Sequence, residues 1–167
     1  SGGKTPAALY SILSTPPFGD DIPWEKVHLF WGDERCLPPD SAGSNFYTAF
    51  VNLISKISIP PKNIHRIQGE LDPVTAASMY EGELRSFFKT SAFPVFDLML
   101  LGLGEDGHTL SLFPSSSTLI EHDRLAAAVK DPVGLWRVTM TLKVVNNASK
   151  AIFLVSGSAK AKILKNV

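Results

Sequence analysis

A chain of 167 residues with 16 basic and 16 acidic side chains has the size of one domain and no broad positive footprint for nucleic acid. Hydrophobic residues make up 44% of it, with ten Phe and three Trp, which suits an ordinary buried core and excludes a disordered polymer. Cys36 is the only cysteine, so neither an intrachain disulfide nor a cysteine-rich zinc site can form.

Near the start, Ser1-Gly2-Gly3-Lys4-Thr5-Pro6 precedes an apolar pattern of Ala7, Ala8, Leu9, Ile12 and Leu13. Thr5 is predicted to cap a helix whose first residue is Pro6, where the missing N–H costs nothing. Residues 26–31 read as a buried strand, 32–43 as a loop rich in Pro, Asp and Gly, and Ser44 as the cap of a helix running through Phe50 and Leu53. Residues 64–67 form a short candidate strand. Asp72 and Pro73 open the clearest helix, with Val74, Met79, Tyr80, Leu84, Phe87 and Phe88 at mostly helical spacing. Residues 96–101 carry little polar interruption, as in a strand covered on both faces. Further strands are expected over 125–129, 137–142 and 151–155, and a helix carrying Lys160 and Lys162 after Gly157 and Ser158. The alternation predicts an α/β fold with a mainly parallel sheet between helix layers. Ligands of such sheets bind at the carboxyl ends of the strands.

Three loops carry candidate chemistry. Ser1-Gly2-Gly3 before a helix can bring backbone N–H groups to an anion, or can be no more than a loop before a capped helix. Trp31-Gly32-Asp33-Glu34-Arg35 offers a guanidinium fork and two acids, which bind a ligand or hold the loop by pairing with each other. The richest is Gly102-Leu103-Gly104-Glu105-Asp106-Gly107-His108, where three glycines expose backbone at a strand end and a histidine follows. His108 reads as a general base or as a satisfied histidine in a tight turn. The loop lacks the Gly-Lys-Ser/Thr ending of a P-loop and the glycine spacing of a dinucleotide site. His28 reads as a packed or edge residue, and His65 and His122 as surface residues. No pair of histidines has metal-ligand spacing, so no metal site is expected.

With these loops in hand, the sequence resembles the 6-phosphogluconolactonase family. The likeness rests on Ser1-Gly2-Gly3, the Gly32-Asp33-Glu34-Arg35 loop, Ser44-Asn45, Phe96-Asp97-Leu98, the loop ending in His108, Ser111-Leu112-Phe113-Pro114, Arg137-Val138-Thr139, and Gly157 with Lys160. The loop ending in His108 is shared with the related glucosamine-6-phosphate deaminases. Those deaminases follow the histidine with a segment ending Asn-Glu-Pro, which is absent here. The resemblance implies a Rossmann-like three-layer α/β sandwich, one domain over residues 1–167, and no cofactor. Family members carry a strand and helix before the Ser-Gly-Gly loop and more after the Gly-x-x-Lys segment, so the chain reads as truncated at both ends.

What the resemblance implies about chemistry is hydrolysis of 6-phosphogluconolactone to 6-phosphogluconate in the oxidative pentose phosphate pathway. His108 would be the base on water, with Asp106 orienting it and Arg35 at the reacting end. Gly2, Gly3, Arg35, Arg137 and Lys160 are the expected substrate contacts. Loop N–H groups between Gly104 and Gly107, or Arg35, would receive the oxyanion. Two alternatives stand beside it: an amino-sugar phosphate deaminase or isomerase, and a non-catalytic sugar-phosphate-binding domain. The expected partner is the phosphorylated lactone, with no nucleic acid and no membrane. A cytoplasmic monomer or weak homo-oligomer completes the reading, because no apolar run reaches membrane-spanning length and no signal-peptide pattern is present.

Overall fold

The computed structural model describes residues 2–90 and 92–166. Helix α1 spans Lys4–Leu13 and begins at Gly3, whose φ of 102° is open to glycine and rare for other residues. Thr5 therefore does not cap it. It lies inside the first turn, and its Oγ1 shares a hydrogen bond with Oγ of Ser156 at 2.7 Å. A short helix, α2 (Phe18–Asp21), follows. Strand β1 is Leu29–Phe30, shorter than the apolar run that contains it, and the first residue of that run, Lys26, belongs to the 3-10 turn Trp24–Lys26.

Residues 33–35, read as loop, form strand β2 (Asp33–Arg35). Helix α3 (Asn45–Asn52) starts as expected at Ser44, whose side chain accepts the N–H of Tyr47. Strand β3 is Ile64–His65. Helix α4 (Pro73–Phe88) has Pro at its first position and Asp72 accepting the N–H of Thr75 at 3.0 Å. It ends on Lys89 in the left-handed conformation. Strands β4 (Met99–Leu101), β5 (Ala126–Lys130) and β6 (Trp136–Met140) follow, then α5 (Leu142–Asn146), β7 (Ala151–Phe153) and α6 (Ala161–Leu164).

The α/β character is as expected, and parallel pairing joins β1 to β3 and β4 to β7. The third sheet is antiparallel, in the order β2-β6-β5, and has no counterpart in the sequence reading. Its pairing links residues a hundred positions apart, which local patterning does not report. Helix α4 packs its Ala76, Ala77, Tyr80 and Leu84 stripe toward β5 and β6, where Leu125, Ala126, Val138 and Met140 are all within 1% of full burial. Tyr80 then reaches the strand above. Its hydroxyl accepts the N–H of Trp31 at 3.0 Å and donates to the Trp31 carbonyl at 2.8 Å, fixing the backbone as it leaves β1.

His65 is buried, not at the surface, because it has partners inside. Its Nδ1 meets Glu83 at 2.7 Å and its Nε2 meets Nδ1 of His28 at 3.0 Å, with the Phe30 ring stacked on it. His28 lies exposed at the edge, and His122 is exposed as expected. Among the described residues no helix is long and apolar enough to cross a membrane.

Candidate active site

Strand side chains alternate between faces. On β2, Asp33 and Arg35 share one face and Glu34 takes the other. The register carries the same split onto β6: Arg35 stands opposite Arg137, Asp33 opposite Thr139, and Glu34 opposite Val138. The Glu34–Val138 face is core. Glu34 is 2% exposed, yet its carboxylate accepts the N–H groups of Arg35, Asn45 and Phe46, each at 2.7 Å, and the Ser44 hydroxyl at 3.0 Å. Burial pushes its pKa up, and those four hydrogen bonds oppose the rise. A buried acid thus ties the N-terminus of α3 to β2.

The opposite face lines an open cleft, built from Asp33, Arg35 and Arg137 with Gly2, Asn45 and the loop that follows β4. Directly opposed residues of an antiparallel pair have Cβ atoms about 5 Å apart, so two guanidinium side chains rise together here. Arg35 donates from Nη1 to the Gly43 carbonyl, and among the described residues no carboxylate lies within ion-pair distance of it. Arg137 is ion-paired with Asp131 at 2.8 Å, so Arg35 is the guanidinium on this face whose charge is left for an anion.

Ser111 folds the loop after β4 onto this face. Fully buried, it donates its hydroxyl to Asp33 Oδ2 at 2.8 Å and its N–H to Thr139 Oγ1 at 3.3 Å. The loop closes on itself through the Gly104 N–H to the His108 carbonyl at 2.7 Å. Inside that turn, Nδ1 of His108 lies 2.5 Å from Oδ1 of Asp106, which also accepts the His108 N–H at 3.2 Å. A carboxylate on Nδ1 assigns the proton to that nitrogen in neutral imidazole and leaves the lone pair on Nε2. Burial acts to raise the pKa of Asp106, but the His108 hydrogen bonds outweigh it and hold the carboxyl below its ordinary value. Asp106 is therefore the anion of the pair.

The glycines of this loop do different things. Gly107 has φ of 90°, which the turn requires. Gly104 leaves room: a Cβ there would lie 2.5 Å from Cε1 of His108 and 2.6 Å from Oδ1 of Asp106. Phe113 bridges the two halves of the cleft, its ring centre 4.7 Å from that of His108 and 6.0 Å from the guanidinium carbon of Arg137.

Of the residues expected from sequence, Gly2, Arg35, His108 and Arg137 line one cleft, and Asp106 stands behind His108. Gly3 and Lys160 do not line it. Gly3 turns the chain into α1, and Lys160 ends the 3-10 turn Ser158–Lys160. Ser1 lies outside the described residues. Asp33 and Asn45 are among the lining residues absent from the expected contacts. The sequence offered Asp33 only as one of two acids beside Arg35, and Asn45 only as part of a motif. The signal for Asn45 was its place just after a helix-capping serine: its Nδ2 donates to the Asp33 carbonyl at 2.9 Å and to Asp33 Oδ1 at 3.2 Å. Cys36, next to Arg35, is no competing nucleophile, since burial and then the charges of Glu34 and Asp72 push its thiol up to about 11. Among the described residues no group of three or more His, Cys, Asp or Glu side chains could hold a metal ion.

Comparison with known proteins gives this arrangement a context. Residues 1–167 match the family model described as glucosamine-6-phosphate isomerases/6-phosphogluconolactonase. The chain is 43% identical to a 6-phosphogluconolactonase of Synechocystis sp. over 170 residues, covering all of this chain and 69% of the relative. It is 39% identical to that of Haemophilus influenzae, covering all of this chain and 71% of the relative. The crystal structure of 6-phosphogluconolactonase from Thermotoga maritima superposes with a TM-score of 0.85 at 34% identity, over 99% of this chain and 72% of that one.

Proposed function

We propose that this chain, which belongs to the glucosamine-6-phosphate isomerase/6-phosphogluconolactonase family, uses His108 to activate water against the carbonyl of a bound sugar-phosphate lactone. The reaction is hydrolysis of 6-phosphogluconolactone to 6-phosphogluconate, and the protein is a lactone hydrolase. One observation carries the assignment to His108: its Nδ1 is held by an ionised Asp106 while the ring lines a cleft with two arginines.

The steps follow from that geometry. Nε2 takes a proton as water oxygen bonds to the lactone carbonyl carbon. The carbonyl oxygen becomes an oxyanion, which the loop N–H groups between Gly104 and Gly107 receive. The intermediate collapses by breaking the ring C–O bond. The ring oxygen leaves as a hydroxyl with the proton that His108 had taken, and the new acid ionises. Asp106 faces the imidazolium that forms between these steps and stabilises it. Phosphate between Arg35 and Arg137 anchors the substrate away from the reacting carbon, so that binding energy is spent on positioning. The cytoplasm is the proposed compartment, since a single cysteine suits a reducing environment.

His108→Asn tests the assignment. Asn keeps a hydrogen bond to the loop but cannot take the proton, so the chemical step slows by roughly two to four orders of magnitude with ligand affinity kept. Near-normal turnover in a folded variant removes His108 from the mechanism. Product analysis in the same assay separates acid release from ammonia release, and so separates the lactonase from the deaminase alternative.

A further inference from the structure

We propose that Asp131 is a positioning residue for substrate phosphate, acting through Arg137; this rests on the reading of Arg137 as an anion contact. Asp131 does not line the cleft. It is 6% exposed and sits where β5 ends, at the start of the turn into β6.

Each of its carboxylate oxygens has a separate task. Oδ1 accepts the N–H of Val133 at 3.1 Å and of Leu135 at 2.9 Å, so the turn between the strands fixes the carboxylate. The backbone of Asp131 closes the same turn, donating to the Leu135 carbonyl at 2.8 Å and accepting from Gly134 at 2.9 Å. Oδ2 accepts Nε of Arg137 at 3.1 Å and Nη2 at 2.8 Å. Nε and Nη2 form one edge of the guanidinium, and its other edge, with Nη1, is left for a ligand. The Phe113 ring packs against the same group. Arg137 is thus gripped along one edge and on one face.

The grip answers a problem set by the register. Arg35 stands directly opposite Arg137, and repulsion would otherwise drive the two apart. Among the described residues Asp131 is the only carboxylate in an ion pair with either arginine. It lets Arg137 stay beside Arg35 before any anion arrives, so that phosphate meets two guanidiniums already in place.

Asp131→Asn tests this in the full chain, because the amide can keep an acceptor toward Val133 and Leu135 but turns a donor toward Arg137. Inorganic phosphate serves as the binding probe, and the lactone is assayed with and without its phosphate. The expected result is phosphate affinity lowered about tenfold or more, a matching rise in KM for the phosphorylated lactone, and kcat within about threefold of the parent. The dephosphorylated lactone keeps its KM. In an Arg137→Ala background the substitution adds nothing further, as two residues acting through one contact require. Equal losses for both lactones, or an unchanged phosphate affinity, overturn the proposal. Arg137→Ala alone checks the reading beneath it: if that variant binds phosphate normally, the anion site itself is misassigned. Should Asp131→Asn not fold, the side-chain Nε–H resonance of Arg137 in the unmutated protein decides. Slow exchange with solvent supports the grip, and fast exchange overturns it.

Discussion

Replacing Gly104 with alanine adds one methyl group at a crowded point of the cleft. The backbone accepts the change, because Gly104 is not among the glycines with positive φ. Space does not. The methyl would lie 2.5 Å from Cε1 of His108 and 2.6 Å from Oδ1 of Asp106, where ordinary contact begins at 3.4 Å. The imidazole and the carboxylate must therefore give way by about 1 Å, and a misplacement of that size at a reacting group costs on the order of 100-fold in rate. Stability should barely move. Off-rotamer side chains cost about 0.5–1.5 kcal/mol, and loss of glycine's freedom in the unfolded chain returns about 0.4–1 kcal/mol. The expected signature is kcat down roughly 100-fold with a melting temperature within a few degrees of the parent. A pH-stat assay with spontaneous lactone hydrolysis subtracted gives the first, and circular dichroism gives the second. Parental kcat in a folded Gly104→Ala protein would show that the His108–Asp106 pair does not do the chemistry.

Other expectations concern the supports of the site. Tyr80→Phe leaves the buried N–H and C=O of Trp31 without their partner, so stability should fall by about 2 kcal/mol in denaturant titration; a loss below a few tenths would mean that water takes over both bonds. Asp106 contributes a pH-dependent term. Its folded pKa is depressed, so its contribution is full above the ordinary aspartate value and is lost as pH falls through the folded one. Melting curves of the parent and of Asp106→Asn should be separated near neutrality and converge in that acid window. A separation of constant size at every pH would break the link between Asp106 and His108.

How far the sequence disclosed this molecule depended on whether a feature was local. Helix α4 was legible because Asp72, Pro73 and an apolar stripe all lie within one stretch, and α3 because Ser44 caps it. Strand β2 was hidden. Asp33-Glu34-Arg35 is charged throughout, and the inward residue is an acid whose burial is made possible by N–H groups from α3. The burial of His65 was likewise invisible, since it depends on Glu83 eighteen residues away. Within the cleft, Arg35 and His108 stood out because each sits in a glycine-bearing loop at a strand end. Asn45 and Asp131 did not, because each acts through a side chain on another element. Lys160, a cation in a suggestive segment, does not line the cleft.

The pairing of β2 with β6 also limits how this protein can change. Cleft residues and core residues alternate along both strands, so one residue inserted into β6 beyond its turn would shift the frame by a single step. Arg137 and Thr139 would then turn toward the core, and Val138 would face the anion, opposite the wrong neighbour. The turn at 132–135 is free of that restriction as long as Asp131 still reaches Arg137. Length variation among relatives should therefore collect at this tip, while the strands on either side tolerate substitution but not a change of count.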